Sequence, residues 1–445
     1  MSHRPGSAFP LSARGASDEA HDFDFLASDV QRHVLPNGLT ILVKEVYPAS
    51  VVGLSIWSRV GSLDEVDANA GISHFLEHML FKGTPRRPVG RIAQEVHSIG
   101  GYLNGFTSYD CTCYWIVSPS RCFSTALDIE VDAILNPLLD PDEIAREAQV
   151  IVEELKMYED KPDSYLYQKL MATAFQTHRY GRPVIGFESV VQAMTAEQLE
   201  AHYRRFYRPN NLCVAVVGDI EAARVIAEIE AQLGHLQPGE VMRDGLAPEP
   251  VQVTARGCHL EGDITTAHLQ MGFHTPSVFH DDAHACDILS SILGEGRSSR
   301  LYRRLRERDG MVTGVSASLF AGSHPGLFVI DATLPPDRVD DAFEAVQQEI
   351  DRLSQEGVQE HELVKARNAV EAGHVFSQET VEGQGRQLGY HEMLGDYRLA
   401  EQYVERLYRV TADDVVRAAR TYLTPQRCNL VTYRPRGAVS PRSLA

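Results

Sequence analysis

A helix followed by a strand occurs twice in this chain with the same punctuation, and that repetition constrains the fold more than any single element. In the first copy Thr195-Ala196-Glu197 opens a helix predicted to reach Phe206, Pro209 ends it, and residues 212–217 follow as a buried strand. In the second copy Thr411-Ala412-Asp413 opens the helix and Tyr422 stands where Phe206 does. Pro425 again comes fourteen residues after the threonine, and residues 430–433 form the strand. Each threonine is a predicted N-cap, because its hydroxyl can accept from an otherwise orphaned amide of the first turn. A chain of 445 residues also exceeds what one hydrophobic core serves. The predicted boundary is the segment 236–253, where Pro238, Gly239, Gly245, Pro248 and Pro250 interrupt all periodicity. The chain thus divides into a first domain (27–240), a linker (236–253) and a second domain (254–437), with tails at 1–26 and 438–445. The first tail, rich in Ser, Ala, Gly and charge, is predicted to be disordered. Beyond it, residues 35–43 read as a turn entering a strand and 51–60 as a further strand.

Charge narrows the function classes. With 42 Lys and Arg against 61 Asp and Glu the formal net charge is −19, which disfavours nucleic acid, whose binding is dominated by cations on phosphates. No apolar run approaches the roughly 20 residues that span a bilayer, so no membrane insertion is expected. Seven scattered cysteines do not make a disulfide framework, and a reducing compartment is the default. Cys111 and Cys113, one residue apart with no second Cys/His pair, read as packed thiols.

The chemistry lies in residues 70–82, predicted as a helix with Gly83 as its left-handed C-cap. At about 100° per residue, Ile72, Phe75, Leu76, Met79 and Leu80 share one apolar stripe. His74, Glu77 and His78 then fall together on the other face, two imidazoles one turn apart with a carboxylate between them. His-x-x-Glu-His is the inverzincin signature, and the geometry suits zinc. A catalytic zinc needs a third protein ligand, and the predicted helix from Asp140-Pro141-Asp142-Glu143 to about Lys161 supplies it. Asp140 caps that helix, Glu143 is expected to complete a capping box, and Pro162 is expected to stop it. Its apolar face is Ile144, Ala148, Ile151, Val152, Leu155 and Tyr158. Glu147 and Glu154, two turns apart, lie at the edge of that face, whereas Glu153 points away. Glu154 is the candidate third ligand and Glu147 a carboxylate behind it that orients a ligand. Glu77, near the metal without ligating it, is the candidate base that takes a proton from water and passes it to the leaving amine.

At these residues the sequence resembles the pitrilysin-type zinc metallopeptidases, family M16, and in particular processing-protease-like members and the β subunit of mitochondrial processing peptidase. The resemblance is carried by residues 70–84 and by Val150-Ile151-Val152-Glu153-Glu154-Leu155-Lys156-Met157-Tyr158-Glu159-Asp160, and extends over about residues 30–435. It implies an α+β chain of two similar domains, each a mainly antiparallel sheet flanked by helices and together forming half of a clamshell, with one Zn2+ in the first and an inactive repeat in the second. It also implies that Asn104, Gly105, Phe106 and Thr107 lie on a strand that pairs with bound peptide, Gly105 standing where the family has Ala. Residues 298–307 match the second-domain motif in which Arg306 would hold a substrate carbonyl. Thr313 replaces the Tyr expected seven residues after that arginine. A dimer is expected, and a heterodimer with a paralogue that supplies the Arg/Tyr pair fits that departure.

The leading expectation is therefore a zinc-dependent endopeptidase acting on extended peptides or presequence-like segments. A non-catalytic structural subunit, or a peptide-binding subunit of the same fold, is the alternative. Bacterial cytoplasm is the favoured compartment, with periplasm and mitochondrial matrix left open.

Overall fold

The computed structural model describes residues 29–47 and 50–437, so the tails assigned to 1–26 and 438–445 lie outside the described residues. The first half runs β1 (Val30–Val34), β2 (Thr40–Glu45), β3 (Val51–Ser58), α1 (Ile72–Leu80), α2 (Arg91–Ser98), β4 (Tyr102–Thr107), β5 (Thr112–Pro119) and α3 (Phe123–Leu135). It continues through α4 (Pro141–Glu159), α5 (Pro162–Ala174), α6 (Glu188–Gln192), α7 (Ala196–Phe206), β6 (Leu212–Gly218) and α8 (Ala222–Leu233). The second half runs β7 (Arg256–Gly262), β8 (Ala267–His274), α9 (Asp282–Gly294), a π-helical segment (Tyr302–Arg308), β9 (Gly314–Phe320) and β10 (Leu327–Leu334). It ends with α10 (Val339–Glu356), α11 (Glu360–Ser377), α12 (Val381–Leu394), α13 (Arg398–Arg409), α14 (Ala412–Tyr422) and β11 (Cys428–Pro435).

Two sheets result, ordered β1-β2-β6-β3-β5-β4 and β7-β11-β8-β10-β9. With β1 set aside, the two orders are the same when each half's strands are numbered from its own start. Each sheet is antiparallel except for one pair, β2 with β6 and β7 with β11, which run parallel. The twice-used helix–strand unit is α7–β6 and α14–β11. Thr195 and Thr411 cap their helices by accepting from the amides of Gln198 and Asp414, at 3.4 and 3.2 Å.

The central strands are buried on both faces, which is why segments such as Leu212–Gly218 read as unbroken apolar runs. Val214 and Val216 join Leu54, Ile56, Phe75 and Leu76 in the core under α1, α3 and α4. Cys213, Ala215 and Val217 face the other way, against Trp57, Trp115 and three residues of α12, Val381, Leu388 and Met393. The second sheet is treated likewise: Leu166, Leu170, Met171 and Ala174 of α5 cover Leu327, Val329 and Val431. Each half therefore lends one helix to the far face of the other's sheet. The division at residues 236–253, drawn along the chain, does not describe where α5 and α12 pack. That connection has no helix or strand between residues 237 and 253 but is tied down, with Arg243 Nη1 on Asp64 Oδ1 at 2.6 Å and Glu249 accepting from the amides of Thr177 and His178.

Helix ends depart from expectation in physically clear ways. The helix predicted over 70–82 occupies Ile72–Leu80, because Gly71, at φ 94°, is its N-cap and Phe81 its C-cap, leaving Gly83 (φ 129°) in the turn beyond. Pro162 does not merely stop α4: it occupies the first turn of α5, where its missing N–H costs nothing. Asp140 caps α4 by accepting from Asp142 and Glu143, but the Glu143 carboxylate turns to Arg146 and no capping box closes.

Candidate active site

The apolar stripe of α1 is wholly buried, with Phe75 and Leu76 at 0% exposure, and this anchors the opposite face toward a cavity. His74 and His78 lie side by side on that face, ring centroids 4.7 Å apart and planes tilted by 58°. From α4, Glu154 Oε2 lies 3.8 Å from His74 Nε2 and 3.6 Å from His78 Nε2. One ligand atom from each of the three lies within 4.8 Å of the others, the one such His/Cys/Asp/Glu group among the described residues. Two ligands about 2.0–2.1 Å from a tetrahedral ion stand about 3.4 Å apart, so these nitrogen–oxygen separations are of the size that zinc ligation requires.

The electrostatics agree. Burial, with His78 as a like neighbour, pulls His74 down to about 3, so its imidazole is neutral and offers one nitrogen lone pair, and its Nδ1 is buried with no partner. Burial raises Glu77 and Glu154 above the ordinary carboxylate range. A neutral imidazole facing carboxylates that resist ionisation is an arrangement that a cation at the centre resolves. Around His78 the balance is reversed. Burial pulls its imidazole down, but the hydrogen bond between Nδ1 and Glu147 Oε1, 2.9 Å, and the charges of Glu77, Glu147 and Glu154 outweigh it. Glu147, nearly buried, also receives Lys82 Nζ at 2.5 Å on Oε2; burial raises it, but its two cationic partners hold it below the usual range. With Nδ1 occupied by Glu147, Nε2 of His78 is left for the cavity.

Glu77 is not among the three convergent groups. Its Oε2 accepts from Thr107 Oγ1 at 2.7 Å, on β4. A Cβ at Gly105 would stand 3.1 Å from Glu77 Oε1, so the glycine that replaces the expected Ala gives that carboxylate room. β4 is the last strand of its sheet, bonded on one side to β5 alone. Asn104, Gly105, Phe106 and Thr107 all border the cavity of about 530 Å³ that His74, Glu77, His78 and Glu154 line. Strand alternation nevertheless turns the Phe106 ring away from Glu77, onto Trp57 and Trp115 at 5.6 and 6.1 Å. Glu153 points out and pairs with Lys156, as the helical angle requires.

Within this chain Arg306 does not border the cavity: it is an exposed residue of the π-helical segment, over the Tyr302 ring at 5.2 Å. One expectation is corrected. Tyr158 is not part of the buried face of α4; it is 36% exposed and lines the cavity, since it lies beyond the last buried turn. Other contributors went unread. Lys82 stands one turn beyond His78, a spacing visible in the sequence. Tyr167 and Met171 of α5 and the loop residues Arg182, Pro183 and Val184 line the cavity with no sequence signal marking them. Glu65, 1% exposed, accepts from the amides of Gly71 and Ser73 at 2.8 and 2.9 Å. It satisfies the N-terminus of α1, which Gly71 cannot cap with a side chain.

Residues 40–188 match the insulinase-type peptidase family M16, and residues 193–370 match the M16 inactive domain. An uncharacterised zinc protease of Mycobacterium tuberculosis is 31% identical over 420 residues, covering 93% of this chain and 94% of its own length. The chain belongs to peptidase family M16. A Rickettsia felis relative, also an uncharacterised zinc protease, is 29% identical over 387 residues, 86% of this chain and 93% of its own. Among solved structures, a protease from Helicobacter pylori superposes with a TM-score of 0.87 at 25% identity, covering 92% of this chain and all of that one. An M16 inactive domain from Pseudomonas fluorescens shares the fold at TM-score 0.83 and 20% identity, covering 93% of this chain and 100% of its own. For this M16 chain the site residues cluster in the half that matches the peptidase, not in the half that matches the inactive domain.

Proposed function

We propose that the chain is a zinc-dependent endopeptidase that hydrolyses peptide bonds in extended peptides, with one metal per chain in its first half. The observation that carries this reading is the convergence of His74, His78 and Glu154 within 4.8 Å beside an unligated carboxylate, Glu77. Zinc, when bound, supplies Lewis acidity to a scissile carbonyl and makes a water nucleophilic near neutral pH. The protein's own groups do the rest. Glu77, its pKa raised by burial and its orientation fixed by Thr107, takes a proton from the attacking water and delivers it to the departing amine. Glu147 holds the His78 ring so that Nε2 faces inward. The unpaired edge of β4 offers main-chain donors and acceptors to an extended peptide, giving affinity that depends little on side chains.

Glu77→Gln tests the assignment. The variant is expected to bind one equivalent of zinc, measured by elemental analysis, and to lose turnover of a quenched peptide library. Undiminished turnover would end the reading of Glu77 as the base and favour a peptide-binding role. The working unit is proposed to be a dimer, of two copies of this chain or of this chain with a paralogue that supplies the Arg/Tyr pair, since Arg306 stays away from the cavity and Thr313 stands in place of Tyr. Full turnover by the isolated monomer counts against that.

A further inference from the structure

The helix α12 belongs to the second half, yet it lies across the first sheet and its polar side chains reach both edges. At the β1 edge, Arg32 donates from Nε and Nη2 to Glu392 Oε1 at 3.1 and 2.7 Å. Over the central strands Gly389 lies so close to the Trp57 indole that a Cβ there would stand 2.1 Å from Nε1. At the β4 edge, Tyr102 donates its hydroxyl to Glu382 Oε2 at 2.8 Å, and Arg386 Nη2 donates to the other oxygen of the same carboxylate at 3.0 Å. The Arg386 guanidinium then lies over the rings of Phe106 and Trp115, 5.6 and 5.2 Å from their centroids. Those distances are within the range of a cation–π contact.

Alternation along β4 links this network to the site. Gly105 and Thr107 face Glu77, and Tyr102 and Phe106 face α12. With a backbone partner on one side alone, β4 is otherwise held through side-chain contacts on its two faces. Thr107 keeps its own hydrogen bond to Glu77, so loosening the α12 contacts shifts the free backbone edge of β4 at Tyr102 to Phe106 rather than the carboxylate.

We propose that Glu382 and Arg386 are positioning residues for peptide hydrolysis: together they hold β4 where its free edge presents an extended peptide to Glu77. The second half of the chain thereby sets substrate affinity at a site built in the first. The proposal rests on the reading of β4 as the strand that pairs with substrate. Because the effect passes through the strand's main chain, it grows with the length of peptide that β4 covers.

The test uses the full zinc-loaded chain with Arg386→Ala, Arg386→Lys, Glu382→Gln and Tyr102→Phe. KM and kcat are measured on a quenched peptide long enough to cover β4 and on a short one confined to the scissile bond and its neighbours. Arg386→Ala and Glu382→Gln are expected to raise KM for the long peptide about fivefold, the worth of one cation–π or charged hydrogen bond, leaving zinc content and short-peptide turnover unchanged. Arg386→Lys restores part of the loss, and Tyr102→Phe, which removes a single hydroxyl, moves KM the same way. Equal losses on both peptides, or an unchanged KM for the long one, overturn the proposal. Hydrogen exchange at the amides of residues 103–107 reads the strand without turnover: faster exchange in Arg386→Ala supports the proposal, and unchanged exchange overturns it. A wild-type chain that binds zinc but cleaves neither peptide counts instead against the peptidase reading.

Discussion

At the scale of the residue, the site separates into groups that converge and groups that hold them. Replacing Glu77 by Gln keeps the side chain's shape and its contact with Thr107 while removing the base, and turnover is expected to fall about 100-fold or more. Glu147→Gln retains one acceptor for His78 but loses the charge that balances it and Lys82. Zinc affinity, read by competition with a chelator, is expected to weaken about 10- to 100-fold. Gly105→Ala is subtler. The added methyl would press on Glu77 Oε1, so turnover should drop severalfold with the melting temperature hardly changed; an unaltered kcat would show that the carboxylate gives way freely. His74, Glu77 and His78 were legible in the sequence because helical angle places them on one face, and Glu154 because it lies at the edge of the apolar face of α4 within a stretch that carries the family resemblance. The position of Arg306 outside the cavity was not legible, because its motif gives a residue type and no direction.

At the scale of the element, α1 depends on a carboxylate outside itself. Burial pushes Glu65 up to about 7, only partly offset by the two amides it accepts from, so the folded state holds its proton more tightly than the unfolded chain, where the value is about 4.3. The corresponding stability is therefore fully present below about pH 4 and is lost as pH rises to about 7, a change of about 3 kcal/mol. Melting curves of Glu65→Gln should lack that pH dependence; parallel curves for variant and wild type across this window would exclude it. Such a cap was invisible beforehand, since Glu65 sits in a short turn with no periodicity and reaches α1 through space. The capped starts of α4, α7 and α14 were legible because their capping residues adjoin them in sequence.

At the scale of the whole molecule, the duplication was readable from Thr195, Pro209 and their counterparts Thr411 and Pro425, but the exchange of α5 and α12 was not. An apolar helix face announces burial without naming the sheet that will bury it, and Gly385 and Gly389 blur the face of α12 further. The exchange predicts that the halves are not independent. Residues 29–240 alone would expose Trp57, Trp115 and Cys213, now covered by α12. They are expected to stay soluble only when co-expressed with residues 241–437, and calorimetry of the intact chain should show one unfolding transition. Two well-separated transitions would contradict this.

That exchange also sets an order of events during synthesis. The last strand of the first sheet ends at Gly218, but the helix that roofs it ends at Leu394. At about 5–20 residues per second, a nascent chain waits about 10–35 s between the two with a tryptophan-bearing surface open to water. Through that interval the half-made protein carries an uncovered apolar face, and its solubility in a cell should depend on translation speed over α8 to α12 more than over any other stretch.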